Sequence, residues 1–209
     1  MRQSFVAILV LAAATGTTAA HAQAHGRARP YAAPAGIVLN VHAFGMPGFT
    51  IDGPDADTPL NVKMGPGIGA QLGYAFNPRF LVYAGADLGR LGAAPEDGGG
   101  HWGLGILEVG GRMSFPTAKS RVVPYVTAAV GTRAIAATIE DFGDIKLHGM
   151  AVSGGAGLTY AVSPTLALDG GVVLSMGKFG NYEEPDGKFD INVDNTLSTR
   201  LRFGLDWRP

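Results

Sequence analysis

The chain contains no cysteine, and only 16% of its 209 residues are charged, against about 25% in an ordinary soluble domain. Without cysteine there is neither a disulfide framework nor a thiolate zinc module. The 16 Lys and Arg are matched by 17 Asp and Glu, a formal net charge of -1, so no basic excess is available for nucleic-acid phosphates and that class of partner is excluded. Long apolar runs are also missing. After residue 24, glycine or a polar side chain interrupts every apolar stretch well short of the about 20 residues that a membrane-spanning helix requires. What the chain has in plenty is glycine, 32 residues, about twice the usual ~7% share.

The first residues read as a targeting segment. Met1 and Arg2 form a short basic head, Phe5 to Ala14 is apolar, and Ala22-Gln23-Ala24 places small residues where a signal peptidase reads. This predicts a signal peptide over 1–24, a short periplasmic segment over 25–34, and one domain over 35–209. A Cys-free composition suits a chain that crosses an oxidising periplasm unfolded.

In that domain the hydrophobic period is two, the signature of strands. Leu197, Thr199, Leu201, Phe203, Leu205 and Trp207 alternate with Thr196, Ser198, Arg200, Arg202, Gly204 and Asp206. Similar runs predict eight strands, at about 35–44, 62–76, 80–89, 102–115, 122–138, 145–162, 166–179 and 195–207. Each supplies the about ten residues that a tilted strand needs to cross an apolar band about 25 Å tall. Short connections, Asn77-Pro78-Arg79, 116–121 and Ser163-Pro164-Thr165, alternate with connections that are longer, at 45–61, 90–101 and 180–194, or brief but acidic, at 139–144. The expected fold class is all-β, an eight-stranded antiparallel up-and-down transmembrane β-barrel with both termini at the short-turn, periplasmic end.

A soluble lipocalin-like barrel has the same strand count but the opposite polarity, apolar inside and charged outside. Charge placement separates the two. Asp52, Asp55, Asp57, Glu96, Asp97, Glu140, Asp141, Asp144, Glu183, Glu184, Asp186, Asp190 and Asp194 lie in the long connections. The other acids, Asp87, Glu108, Asp169 and Asp206, share the strand phase opposite the apolar residues, as do Arg112, Arg133, Arg200 and Arg202. A basic side chain facing lipid at mid-bilayer costs about 2–4 kcal/mol, so these eight charges are expected to line the lumen and pair there.

The outward phase carries two further patterns. Tyr74, Phe76, Phe80, Phe115, Tyr160 and Trp207 gather beside the short turns or the C-terminus, as an aromatic girdle at a periplasmic membrane interface would. Arg90, Lys146 and Lys178 lie toward the long-loop end, where long basic side chains snorkel to lipid headgroups, with lipopolysaccharide phosphates as the counter-charges.

From about Gly36 to Trp207 the chain resembles the small outer-membrane β-barrel proteins of the OmpA, OmpX and OmpW kind. The resemblance rests on the leader, the eight Gly-rich strands, Val123-Pro124-Tyr125-Val126-Thr127 opening a strand after a short turn, and the closing Arg202-Phe203-Gly204-Leu205-Asp206-Trp207. That last segment is similar to the C-terminal signal read by the outer-membrane insertion machinery, although Arg208-Pro209 follows the aromatic. The resemblance implies residence in the bacterial outer membrane among lipids and lipopolysaccharide. It leaves the role open, because this fold hosts several.

No catalytic constellation is found. His148 is in the outward phase near the long-loop rim, while Ser153 in the same strand points inward, and His101 has no serine partner. Asp52, Asp55 and Asp57 lack the spacing of a calcium loop. Gly65-Pro66-Gly67-Ile68-Gly69 and Gly98-Gly99-Gly100 precede no helix and are not phosphate cradles. The sequence therefore predicts no enzyme, metal or cofactor. It predicts a structural or surface-interaction barrel with a charge-plugged lumen, whose acidic loops offer a face to an extracellular partner. The alternative is a conduit or binder for small hydrophobic molecules.

Overall fold

The computed structural model describes residues 35–46, 49–51, 60–62, 65–92, 101–117, 120–139, 143–184 and 187–209. The proposed signal peptide, the 25–34 segment and the acids Asp52, Asp55, Asp57, Glu96, Asp97, Glu140, Asp141 and Asp186 lie outside the described residues.

Ten strands follow one another along the chain. They are β1 (Gly36–Met46), β2 (Phe49–Ile51), β3 (Leu60–Val62), β4 (Gly65–Ala75), β5 (Phe80–Gly92), β6 (His101–Ser114), β7 (Val122–Ile139), β8 (Gly143–Ala161), β9 (Leu166–Glu184) and β10 (Gly187–Trp207). Eight of them, all but β2 and β3, close into an antiparallel barrel in the order β1-β10-β9-β8-β7-β6-β5-β4. The seam joins β1 to β10 from Leu39 opposite Trp207 to Gly45 opposite Leu201. β2 and β3 form a separate antiparallel pair within the first long connection.

The tight turns are built by side chains that stand in for backbone acceptors. Asn77 Oδ1 accepts the N–H groups of Arg79 at 2.8 Å and Phe80 at 3.0 Å. Ser163 Oγ does the same for Thr165 at 3.3 Å and Leu166 at 3.0 Å. Each cap is followed by proline, whose fixed φ suits a turn and whose missing N–H suits the end of a ladder.

The strands at the opposite, long-loop end are taller than the sequence reading has them. The connections placed at 139–144 and 180–194 shrink to 140–142 and 185–186. Asp144 lies in β8, Glu183 and Glu184 in β9, and Asp190 and Asp194 in β10. A wall that rises beyond an apolar band meets water on its outside as well, so acids on it carry no desolvation cost and stop marking a loop.

Polarity is inverted relative to a soluble protein. Met150, Leu88, Phe203 and Leu72 are 72%, 65%, 64% and 62% exposed, whereas Arg200 is 0% and Asp206 1% exposed. Inside, the barrel is layered. Val38, Ala75 and Leu81 pack together at the turn end. Phe44, Met46, Leu104, Ile106, Ile135 and Phe179 are buried at the long-loop end. Between these two apolar layers lies the polar one.

Candidate functional site

All eight charges expected in the lumen have inward side chains, drawn from β5, β6, β7, β9 and β10. Seven are buried, and the side chain of Arg202 is 8% exposed. Their spacing follows from alternation, since every second residue of a strand faces the same side and the inner phase of each strand brings its polar residue to the middle of the barrel.

Two groups of ion pairs result. In the first, the two terminal nitrogens of Arg200 divide between Asp87, on β5, and Glu108 on β6, the latter at 2.8 Å. Arg202 Nη1 reaches the other Glu108 oxygen at 3.6 Å. Ser175 and Gln71 complete the group, each 3.4 Å from its partner, Arg200 and Glu108 respectively. In the second, nearer the turns, Arg112 binds Asp206 at 2.8 Å and Asp169 at 3.2 Å. The Tyr125 ring stacks 4.1 Å beneath the Arg112 guanidinium, and its hydroxyl donates to Asp169 at 3.1 Å. Thr159 donates to the other Asp169 oxygen at 3.4 Å.

His42 and Asn40 join the groups. His42 Nε2 lies 2.9 Å from Asp87, to which it donates, and Nδ1 lies 2.7 Å from Asn40 Oδ1 and 3.1 Å from Arg202 Nη2. Asn40 Nδ2 in turn donates to Asp206 at 2.7 Å. A continuous chain of contacts therefore runs from Arg200 through Asp87, His42, Asn40 and Asp206 to Arg112. The sequence reading missed His42 and Asn40 as members, yet their signal was present, because both occupy the phase opposite Leu39, Val41 and Ala43.

Room for this layer comes from glycine. A Cβ at Gly69 would overlap the Asp87 carboxylate and the His42 ring, and one at Gly157 would overlap Tyr125. Strands that must pass this close to inward side chains carry no side chain there.

Arg133 stands apart. It donates to Thr196 Oγ1 at 3.3 Å and lies 5.9 Å from the centre of the Phe179 ring. Among the described residues it has no carboxylate partner.

On the outside, the six aromatic residues are all exposed, between 44% and 58%, and all flank the short turns or the C-terminus. Tyr74 and Phe76 meet edge to face at 5.4 Å. Arg90, Lys146 and Lys178 are exposed and outward near the opposite end. His148 also faces outward, whereas Ser153 faces the lumen and bonds Ser175 at 2.8 Å, so the two are no catalytic pair. Among the described residues no group of three or more His, Asp or Glu side chains is arranged to hold a metal ion.

The profile of the outer membrane protein beta-barrel domain family matches residues 9–206. Solved structures share the fold, among them the following two. Neisserial surface protein A, from Neisseria, superposes with a TM-score of 0.59 at 18% identity, covering 83% of this chain and 97% of its own. OprG from Pseudomonas aeruginosa gives a TM-score of 0.57 at 15% identity, covering 86% of this chain and 100% of its own. No curated protein matches the chain at a significant level. At these identities the likeness to the two structures speaks to architecture.

Proposed function

Since the chain belongs to the outer membrane protein beta-barrel domain family, we propose that it is a closed, charge-plugged wall element of the bacterial outer membrane with a structural or surface-interaction role and no catalytic one. Arg200 carries the reading. It is fully buried and bridges carboxylates of two other strands across the lumen. The interior of an eight-stranded barrel is just wide enough for side chains to fill. A bridge at its middle, between apolar layers on both sides, supports a lumen closed to water. A lumen lined by aliphatic residues alone would instead suit a conduit for small hydrophobic molecules.

The short turns and termini face the periplasm in this reading, with the aromatic girdle at the inner headgroup level. The long-loop end then faces outward, its rim cations among outer-leaflet headgroups and its acidic loops toward an extracellular partner. The insertion machinery would read the closing strand through Trp207. The test is conductance in planar bilayers. Wild-type protein should show no steady open pore, and Arg200→Ala or Glu108→Ala should raise conductance. A large, constant single-channel current from unmutated protein would overturn the closed-wall reading.

A further inference from the structure

The outward faces of β5 to β9 are not evenly filled. In their long-loop half the wall dips into a groove of about 1170 Å3, beyond the range of about 300–1,000 Å3 that accommodates a drug-sized ligand. Gly105 and Ala134, cross-strand partners on β6 and β7, line its low middle. Leu88 and Met150 stand on either side of them. The wall is also irregular here. His148 pairs with Asn181 while the next residue, Gly149, pairs with Phe179, which leaves Gly180 as an extra residue in β9. A bulge of this kind bends a strand and re-aims its side chains. Gly149 is required at the bulge, because a Cβ there would overlap the Lys178 carbonyl.

The charges of the outer wall gather around this groove. Lys178 and His148 line it. Arg90 and Lys146 lie one row further toward the long loops, in register through Gly103 and Ala136. Three strand spacings separate them, about 14 Å. All three cations have exposed side chains on the outward faces of their strands. Glu183 stands opposite Lys146 in the register, so the test below replaces the two cationic or donor residues that line the groove itself.

In a bilayer one apolar tail fills a groove as well as another, since no hydrophobic driving force separates protein surface from lipid. Selection must therefore come from the head. Cations spread over several strands above an apolar seat match a head with more than one phosphate better than a single phosphodiester. We propose that the groove seats one phosphorylated, multiply acylated glycolipid of the outer leaflet, with its chains along Gly105 and Ala134 and its phosphates against Lys178, His148 and the Arg90–Lys146 row. This rests on the long-loop end facing outward.

Delipidated protein in detergent would be incubated with a bisphosphorylated lipid A, its phosphate-free form, and phosphatidylglycerol, and bound lipid counted by native mass spectrometry. Wild-type protein should hold one bisphosphorylated molecule about tenfold more tightly than either alternative. Ala134→Phe, which fills the seat, and the pair Lys178→Gln with His148→Gln should each lose that preference. Leu201→Phe, outward on the far strand β10, should keep it. A shift in gel mobility on heating checks that each variant is a closed barrel. Indifference to the phosphates, a preference for phosphatidylglycerol, or full retention by Ala134→Phe would overturn the proposal. Binding in detergent does not depend on orientation, whereas labelling of the long loops on intact cells does, so a failure of the site and a failure of the topology are told apart.

Discussion

Replacing Arg200 by methionine tests the polar layer most directly, because the methionine stem fills much of the same space and removes only the charged fork. Arg200 is fully buried, and both terminal nitrogens are engaged, one with Asp87 and one with Glu108. Removing one partner of a buried ion pair costs about 3–5 kcal/mol, chiefly because the other charge is left uncompensated. Here the two carboxylates keep secondary partners, His42 at 2.9 Å from Asp87 and Arg202 at 3.6 Å from Glu108. The loss should therefore fall at the low end, near 3 kcal/mol, a drop of about a hundredfold in the folded-to-unfolded ratio. Urea unfolding in lipid vesicles, followed by tryptophan fluorescence and by heat-dependent gel mobility, reads this out. Glu108→Gln made in both backgrounds completes a cycle, with an expected coupling of about 0.5–3 kcal/mol. A loss below about 1 kcal/mol for Arg200→Met, with Glu108→Gln strictly additive, would show that the lumen is wet enough to screen the pair and would refute the argument.

Three other substitutions test how the lumen is packed. Gly69→Val should push the Asp87 carboxylate and the His42 ring apart and lower stability by about 1–3 kcal/mol by overpacking. Gly170→Ala, where the nearest atom to a new Cβ is 3.7 Å away, should leave the unfolding midpoint in place, and equal midpoints for both would contradict the close-approach argument. Arg133→Ala gives up one hydrogen bond and one ring contact and should cost no more than about 2 kcal/mol. A cost matching that of Arg200→Met would mean that Arg133 has a carboxylate partner of its own.

Alternation made the barrel legible. Wherever a strand crosses the apolar band, lipid on one side and packed lumen on the other force a strict two-residue period, and the segments at 80–89 and 166–179 fall inside β5 and β9. Above the band that constraint lapses. Phe189, Ile191 and Val193 still alternate with Lys188, Asp190 and Asn192 along β10, but the acids around them gave the appearance of a loop. β2 and β3, three residues each, are too short to show any period. Inward phase was readable for each charge because it depends only on the strand to which the residue belongs. The pairing of Arg112 with both Asp169 and Asp206, and the linking role of His42, depend on how strands far apart in sequence are staggered around the closed sheet. No periodicity within one strand carries that information.

The seam between β1 and β10 bears on how the protein is made. Its ladder runs only from Leu39–Trp207 to Gly45–Leu201, whereas β9 and β10 pair from Gly187–Glu184 down to Trp207–Leu166. Every other contact in the barrel wall joins neighbours that hairpins or one longer connection bring together, but this one joins the first strand to the last. Such a contact has the greatest loop-closure entropy to overcome until the intervening strands have paired and brought its two ends together. The shortest zipper in the wall thus also has the widest gap in sequence to bridge. Asn40 and Asp206 meet at that seam, which makes completion of the lumen network coincide with closure of the wall.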